Sequence, residues 1–412
     1  MTATNRVERF AVCAPGFEPV VAAELAALGI TGKVEAGGVS WMGVDREFYA
    51  ANLHLRSAGR VLTRIARFRA RSFMEMERHV RKINWTPYIE PGATVDLRVS
   101  SRKSRLYHEG AIAERFARFI SEEVGGVATT LRGREAEEED GGEDAGSGSG
   151  EGDSGAGRGS ATDSAGQLFV IRFSRDECTV SVDGSGDLLH RRGYRQAIAK
   201  APLRETLAAG ILLAAGWDGS TPLLDPLCGS GTFPIEGALI ARHIAPGIAN
   251  HDFAPRPNAF SRWPTFQPEL WERLVREAQA EVRERAPHSI AGSDRDTGAI
   301  TAAHANATRA GVEGDISFDV RALSAARPTD NSTPGLIVAN PPYGVRIGDT
   351  RPLRNLYASF GSLVRDHFPG WTVAMIVAND GLERFLELPL EELLRTGNGG
   401  IPVRVLRSPE VA

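Results

Sequence analysis

The stretch Asp225-Pro226-Leu227-Cys228-Gly229-Ser230-Gly231-Thr232 decides the fold of this 412-residue chain. It directly follows Leu223–Leu224, a predicted buried strand, and it opens a helix predicted from Thr232 to about Ala245. The glycines allow the backbone to pass close to a ligand, and a helix N-terminus offers free N–H groups and a positive dipole to a carboxylate. No GK[ST] follows, so a phosphate loop is not predicted. Taken alone, the turn is also compatible with a tight strand–helix connection.

The residues that follow alternate between strand and helix patterns. A helix is predicted for Thr297–Ala310, ended by Gly311, and residues 250–288 form an insertion with an exposed charged helix over Trp271–Arg285. Further strands are predicted at Ser289–Gly292, Ile316–Val320, Leu336–Ala339 and Trp371–Ala378. This alternation predicts an α/β fold with a doubly wound, mostly parallel sheet.

An acidic residue follows the strand predicted at Ser289–Gly292. Asp294 lies where acidic residues of doubly wound nucleotide-binding sheets accept both hydroxyl groups of a ribose. Asp296 comes directly before a predicted helix and is equally suited to be its N-cap. The ribose is therefore assigned to Asp294 alone.

The run Asn340-Pro341-Pro342-Tyr343-Gly344 comes straight after the strand predicted at Leu336–Ala339. Two successive prolines remove two backbone donors, so the turn presents carbonyl oxygens. The Asn340 side-chain oxygen and the Pro341 carbonyl can accept both hydrogens of an exocyclic amine, and Tyr343 offers a flat face for stacking a base. The pattern predicts a site that orients the amino group of a nucleobase. A bare Pro-Pro turn is the structural alternative.

The N-terminal part has an α+β pattern, with a strand predicted at residues 8–14 and a helix from about Glu18 to Leu28. Residues 1–133 carry 20 Lys+Arg and 14 Asp+Glu, a net charge of +6 that suits a polyanion. Predicted RNA-contacting residues are Arg64, Arg67, Arg69, Arg71, Arg102, Lys103, Arg105, Tyr107 and His108, and Arg56, Arg60, Arg78, Arg81 and Lys82 extend the same basic stretch. A solvated surface with ordinary arginine usage is the alternative interpretation.

Residues 134–166 contain ten acidic and two basic residues among glycine and serine, with almost nothing apolar. Such a segment cannot bury enough surface to offset its ordering entropy, so we expect disorder. Strand patterns resume at Leu168–Phe173 and Cys178–Asp183, so the segment interrupts a domain. A tolerated loop insertion explains it best, and an acidic decoy competing with nucleic acid is the alternative.

Three widely spaced cysteines with no CxxC pair disfavour a disulfide scaffold and a structural zinc site, and no metal is expected. Neither a membrane-span pattern nor a signal-peptide apolar core is found, so a soluble cytoplasmic protein is expected. Oligomeric state is not predicted.

Together, Asp225–Thr232, Asp294 and Asn340–Gly344 resemble motifs I, II and IV of the class I S-adenosylmethionine-dependent methyltransferases. The segments Leu188–Arg195 and Ala201–Ala208 are similar to those of THUMP-domain RNA methyltransferases, above all the bacterial 23S rRNA guanine-N2 methyltransferases. Ile83-Asn84-Trp85 and Ser104–His108 look like THUMP signatures. The resemblance covers nearly the whole chain except 134–166.

The resemblance implies a Rossmann-like, seven-stranded methyltransferase domain over 188–412, preceded by a ferredoxin-like subdomain (6–60) and a THUMP domain (48–185). It implies a single catalytic module, S-adenosylmethionine as cofactor and guanine N2 of 23S rRNA as target. The implied catalytic residues are Asn340, Pro341, Pro342 and Tyr343, and the implied cofactor-binding residues are Asp225, Pro226, Cys228, Gly229, Gly231, Thr232, Asp294, Asp319 and Thr206.

The chain departs from the family at one position, since Ala322 stands where an acidic residue usually contacts the adenine amine. Asp319 is the nearest candidate to replace it. Three alternatives remain open at this point: a tRNA guanine-N2 methyltransferase, an N6-adenine methyltransferase, and a non-catalytic RNA-binding ribosome-assembly factor that kept the fold.

Overall fold

The computed structural model describes residues 6–125, 128–131, 166–196, 203–328, 333–342, 351–378 and 381–411. The acidic segment predicted to be disordered, apart from Gly166, lies outside these residues, as do Tyr343 and Gly344. Two sheets organise the described chain.

The first half forms one continuous eight-stranded sheet with the order β2-β3-β1-β4-β8-β7-β5-β6. Its strands are β1 (Val7–Cys13), β2 (Lys33–Glu35), β3 (Gly38–Gly43), β4 (Ala58–Arg69), β5 (Thr94–Arg102), β6 (Ala128–Leu131), β7 (Gln167–Ser174) and β8 (Glu177–Asp183). The helices in this half are α1 (Glu18–Ala27), α2 (Asp45–His54), α3 (Phe73–Val80) and α4 (Glu109–Val124). Because β4 pairs with both β1 and β8, the N-terminal strands and the later ones share one sheet.

The second half is a seven-stranded sheet with the order β11-β10-β9-β12-β13-β15-β14. Its strands are β9 (Leu223–Asp225), β10 (Ile290–Asp294), β11 (Ile316–Val320), β12 (Leu336–Ala339), β13 (Thr372–Ala378), β14 (Glu391–Asn398) and β15 (Ile401–Arg407). The helices are α5 (Glu205–Ala214), α6 (Thr232–Ala241), α7 (Pro268–Ala280), α8 (Thr297–Ala310) and α9 (Arg351–His367). The strands β9 to β13 run parallel and β15 runs antiparallel to β13, so the predicted doubly wound, mostly parallel sheet is confirmed.

Strand order reverses between β9 and β12, and this switch point positions the site. Asp225 ends β9, and its neighbours extend past it on both sides. In β10 Gly292 lies level with Asp225, so Asp294 is two residues further on. In β12 Ile337 lies level with Leu224, so Asn340 is also two residues beyond Asp225. Each overhang is about 7 Å, which leaves a cleft floored by Asp225 at the carboxyl edge.

The insertion at residues 250–288 joins the two halves. Its helix covers Pro268–Ala280, shorter and earlier than the predicted Trp271–Arg285. The prediction of an exposed helix is wrong for one face, because Leu274, Val275 and Ala278 are buried.

The contact at this junction is made by aromatic rings, which we call the aromatic clasp. Two residues of α2, Phe48 and Tyr49, pack against Phe260, Trp263, Phe266 and Trp271 of the insertion. Phe48 stacks on Trp263 with ring centroids 5.5 Å apart, and Tyr49 stacks on Phe260 at 4.5 Å. The Trp263 indole N–H also donates to the Gln167 side-chain oxygen of β7 at 2.8 Å. Buried aromatic pairs of this kind fix the two halves against each other.

Helix α6 ends at Ala241 rather than near Ala245 as predicted. His243 has a positive φ of 58°, which turns the backbone out of the helix, and a 3-10 turn begins at Pro246. No helix among the described residues is long and apolar enough to cross a membrane.

Candidate active site

The glycine turn between β9 and α6 has the shape its sequence predicts. Gly231 is the N-cap of α6 with φ +86°, a conformation that costs other residues about 1–2 kcal/mol. A Cβ at this position would lie 3.0 Å from both the Ala303 Cβ and the Phe318 ring, so glycine is also required by packing. Gly229 has φ +51°, and its Cβ position is open space. The turn is therefore tight on its protein side at Gly231 and open at Gly229.

Asp294 holds this turn at its open side. One carboxylate oxygen accepts the Gly229 N–H at 3.1 Å, and the other accepts the Asp296 N–H at 3.0 Å. A carboxylate has about four acceptor positions, so two remain for hydroxyl groups of a ligand. Asp296 caps α8 by accepting the N–H groups of Gly298 and Ala299, which confirms the N-cap interpretation.

Asp225 is buried beneath the turn and accepts the Leu227 N–H at 3.0 Å. Burial raises the pKa of its carboxyl to about 8; the Leu227 hydrogen bond opposes this shift, and the charge of Asp294 adds to it. Cys228 is tied to the neighbouring strand, since its N–H donates to the Ser293 carbonyl at 3.0 Å. Burial raises the pKa of its thiol well above the ordinary value, which keeps it protonated.

A buried amide on α8 also shapes the turn, and the sequence analysis missed it. Asn306 donates from Nδ2 to the Ser230 carbonyl at 3.1 Å. Its oxygen accepts from Arg309, which in turn donates from Nε to the Tyr194 carbonyl at 2.6 Å. The Tyr194 hydroxyl donates to Glu236 of α6 at 2.8 Å. No local motif marks Asn306, because its partner lies 76 residues away.

The same set of contacts continues into the first half. Arg192 lies 3.5 Å from the Glu236 carboxylate and donates to the Arg56 carbonyl at 2.6 Å. The buried Arg56 guanidinium donates to the Ile244 carbonyl at 2.8 Å. Burial lowers the pKa of Arg56 to about 10, so it remains a cation at neutral pH. We call the connected residues Arg56, Arg192, Glu236, Tyr194, Arg309 and Asn306 the buried relay.

One side of the cleft is apolar in part. Val320 ends β11 level with Asp294 and is 53% exposed, so it offers an apolar surface at this edge of the sheet. Asp319, assigned to the cofactor from the sequence, is exposed and forms an ion pair with Arg321 at 3.1 Å. Ala322, where an acidic residue was expected, is exposed at the start of the 3-10 turn Leu323–Ala325.

The remaining predicted cofactor residues lie on helix starts or in the turn. Pro226 is buried, Thr232 is the first residue of α6, and Thr206 is buried in the first turn of α5. Beside Thr206, Glu205 forms a buried ion pair with Arg195 of the Leu188–Arg195 segment. Asn340 is half-buried, Pro341 is buried and Pro342 is exposed. Predictions for Tyr343 concern a residue outside the described part of the chain.

The structure divides the predicted RNA-contacting residues into three groups. Arg56 and Arg60 are not available to a polyanion, so that prediction is wrong for them: Arg56 is in the buried relay, and Arg60 forms a buried ion pair with Asp183. Arg64 contacts Glu8 and Glu35, and Arg67 and Arg71 face Glu8 and Asp176. The other positions are exposed or half-exposed: Arg69, Arg78, Arg81, Lys82, Arg102, Lys103, Arg105, Tyr107 and His108.

Counted with β9 as the first strand, the order of this sheet is 3-2-1-4-5-7-6. This order, with a glycine turn after the first strand and a carboxylate after the second, is the arrangement of the class I methyltransferases. The chain belongs to the RMKL-like methyltransferase family, because residues 192–402 match the model for the RMKL-like methyltransferase domain. Residues 8–62 match the RlmL ferredoxin-like domain.

Relatives extend this likeness over the whole chain. A Synechocystis protein, named provisionally as an RNA methyltransferase, is 32% identical over 97% of this chain and 95% of its own length. The ribosomal RNA large subunit methyltransferase K/L of Syntrophotalea carbinolica is 34% identical over 97% of this chain. The match covers 53% of that relative, so the chain spans about half the length of the K/L proteins. A solved structure, SMU.472 complexed with SAH, is 26% identical with a TM-score of 0.81, covering 100% of both chains.

The protein is thus an S-adenosylmethionine-dependent methyltransferase, and the described residues fit this cofactor. The open space at the Gly229 Cβ position leaves room beside the turn, and Asp294 has acceptor positions left for a ribose. The exposed Val320 offers an apolar surface next to it. Bound there, the cofactor supplies a methyl group activated on a sulfonium.

Proposed function

We propose that this protein methylates the exocyclic N2 amine of a guanine in 23S rRNA. The observation that carries the proposal is the position of Asn340 and Pro341. They follow β12 directly, two residues past the level of Asp225 and across the cleft from Asp294. A base held there faces the cofactor side of the cleft.

The chemistry follows from the acceptors at this turn. The Asn340 side-chain oxygen and the Pro341 carbonyl accept the two N–H groups of the amine. These hydrogen bonds favour a pyramidal nitrogen, whose lone pair then points at the methyl donor. Tyr343 stacks on the base in this proposal. No strong base is needed before transfer, since the proton is lost from the nitrogen after the new N–C bond forms.

The cofactor is held by the residues on the opposite wall. Asp294 accepts the ribose hydroxyls, and the turn at Gly229 and Gly231 receives the methionine part at the N-terminus of α6. Thr206, at the start of α5, and Asp319, at the end of β11, complete the proposed set. Val320 packs against the adenine, which reduces the need for an acidic side chain at the position of Ala322.

Two observations support ribosomal RNA as the target: the names of the relatives and the positive charge of exposed residues in the first half. The K/L relatives are named as ribosomal RNA large subunit methyltransferases, and the chain matches one half of them. Exposed basic groups of the first half, including Arg69, Lys103 and Arg105, would grip phosphates without reading sequence. The target base is then turned out of its stack into the cleft. A cytoplasmic location is part of this proposal.

Incubation of the purified protein with radiolabelled S-adenosylmethionine and deproteinised 23S rRNA tests the proposal. Digestion of the product to nucleosides should yield N2-methylguanosine. Labelling of tRNA instead would assign the guanine chemistry to a different RNA, and N6-methyladenosine would contradict the assigned base. Absence of calorimetric binding of S-adenosylmethionine would contradict catalysis altogether.

A further inference from the structure

A cavity of about 530 Å³ lies on the first sheet, apart from the methyltransferase cleft. The strands β1, β4, β5, β7 and β8 form its floor. In β7 the side chains alternate: Phe169, Ile171 and Phe173 are fully buried in the core, and Phe169 packs on Trp85. Val170, Arg172 and Ser174 point the other way and line the cavity. The cavity therefore occupies the polar face of a sheet whose other face is the core.

The lining is strongly cationic, with six arginines against one carboxylate, that of Glu177. The arginines are Arg60, Arg64, Arg98, Arg102, Arg172 and Arg175. Asp183 neutralises Arg60, and Glu8 and Glu35 face Arg64. Glu177 pairs with Arg67 and Asp176 with Arg71, so Arg172 and Arg175 form no ion pair with another described residue. The cavity thus holds cationic charge that its own residues do not balance.

Arg172 has a notable position in the register. It lies level with Ser100 of β5 on one side and Thr179 of β8 on the other. Small hydroxyl side chains thus flank a guanidinium in mid-sheet. They leave space above the backbone, and they offer both donors and acceptors. Guanidinium forks pair with phosphate oxygens through two parallel hydrogen bonds, which hydroxyl groups can supplement.

The shape of the cavity restricts its ligand. Its volume is that of a small-molecule pocket, so it accommodates about one or two nucleotides, and a double helix is too wide to enter. An unpaired strand can enter such a space with its bases splayed out. At the wall, the Phe10 ring is covered by the Arg64 guanidinium at 3.9 Å, so one aromatic group is already held in place.

We propose that this cavity binds the phosphodiester backbone of an unpaired RNA strand, through Arg172 and Arg175 with hydroxyl support from Ser100 and Thr179. The proposal rests on the proposed RNA substrate and gives it a second point of attachment. It adds Arg172 and Arg175, both exposed, to the basic residues predicted from the sequence, of which Arg64 and Arg102 also line the cavity. The two sites hold different parts of one RNA, a strand in the cavity and a flipped base in the cleft.

Fluorescence anisotropy with the full chain tests the inference. The probes are a labelled eight-nucleotide unpaired RNA and a blunt-ended RNA hairpin. Arg172→Glu and Arg175→Glu should each weaken binding of the unpaired RNA about tenfold and reduce its salt dependence. Arg273→Glu on α7 makes the same charge change at an exposed position outside the cavity and should leave binding unchanged. Ser174→Trp fills the cavity without changing charge and should also weaken the unpaired strand.

Each contrary result overturns the inference. The inference is wrong if Arg172→Glu and Arg175→Glu, or Ser174→Trp, bind the unpaired RNA as tightly as the unaltered protein does. It is also wrong if these variants lose as much affinity for the hairpin as for the unpaired RNA. Competition by guanosine monophosphate at concentrations equal to the unpaired RNA would instead mark a free-nucleotide site. Calorimetric binding of SAH should stay intact in every variant, which shows that the fold persists. Failure of the proposed function is distinguishable, because it would abolish rRNA methylation by the unaltered protein while strand binding in the cavity persisted.

Discussion

The buried side-chain amide of Asn306 donates a hydrogen bond of 3.1 Å to the carbonyl oxygen of Ser230, in the middle of the glycine turn. That carbonyl lies between the two positive-φ glycines, so the amide fixes the peptide that joins Ser230 to Gly231. Arg309 and Tyr194 support the amide from behind. The turn is therefore held from α8 as well as by Asp294 of β10.

Replacement of Asn306 by alanine should weaken SAH binding about tenfold and lower the free energy of unfolding by about 1–3 kcal/mol. The reason is that a buried carbonyl loses its partner and Arg309 loses an acceptor. Calorimetric titration and thermal melts measure the two effects. Thr301→Ala, at an exposed position of the same helix, is the control and should change neither. Unchanged SAH affinity in Asn306→Ala would show that the amide does not shape the turn.

The two glycines of the turn should respond differently to alanine. Gly231→Ala should destabilise the fold by about 1–2 kcal/mol or more, because it adds strain at φ +86° and crowds Ala303 and Phe318. Gly229→Ala should destabilise less, since its Cβ meets no protein atom within 4 Å. That Cβ would project into the space assigned to the cofactor, so Gly229→Ala should lose SAH binding. Melts and calorimetry on both variants decide this, and equal loss of stability would contradict it.

Because of Asp225, the free energy of unfolding should fall as the pH rises. Its folded pKa of about 8 lies above the ordinary value of 3.8, so the folded protein holds a proton that the unfolded chain has released between about pH 4 and pH 8. The free energy of unfolding then decreases by up to about 1.4 kcal/mol per pH unit across this window. Asp225→Asn should remove this slope, as seen in melting temperatures from pH 5 to 9.

Asp218→Asn is the matched control for that experiment. Hydrogen bonds from Ser220 lower the pKa of Asp218, so its contribution is present above the ordinary carboxyl pKa and is lost only in acid. This variant should leave the slope between pH 5 and 9 unchanged. If the melting temperatures of Asp225→Asn and of the unaltered protein changed with pH in parallel, Asp225 would be ionised throughout the range from pH 5 to 9.

Asn340→Ala should abolish methyl transfer while SAH binding survives. The variant removes one of the two acceptors that orient the amine, and loss of such an interaction costs about 100-fold or more in kcat. Asn355→Ala removes an exposed side-chain amide on α9, outside the cleft, and should retain activity. A radiolabelled-methyl assay measures turnover, and near-normal turnover in Asn340→Ala would exclude its assigned role.

Much of the second sheet could be predicted from the sequence. The bounds of Ile316–Val320 and Leu336–Ala339 are confirmed. The first alternates apolar and polar residues, and the second is a short apolar run followed by the turn at Asn340. Helix α8 is also confirmed, with Asp296 as its N-cap and Gly311, at φ +72°, as its C-cap. The strands β14 and β15 were not predicted, because the polar Glu391–Asn398 gains its strand character only from pairing with Ile401–Arg407.

It was harder to predict which arginines are buried in ion pairs or hydrogen bonds than to predict the helices and strands. Arg56, Arg60 and Arg64 are close in sequence, yet the first is buried against α6, the second against Asp183, and the third between two glutamates. Their partners come from distant parts of the chain, so no local pattern could separate them from exposed arginines. The same reason hid Asn306 and the cavity arginines Arg172 and Arg175.

The aromatic clasp has a consequence for substrate choice. Phe48 and Tyr49, packed on the insertion, prevent the first sheet from swinging relative to the second. Under the proposed function, the distance between an RNA strand bound by the first sheet and a base received by the second is then constant. On that proposal, the target nucleotide is the one that the folded RNA presents at this distance, and RNA fragments too short to reach both sites should be poor substrates.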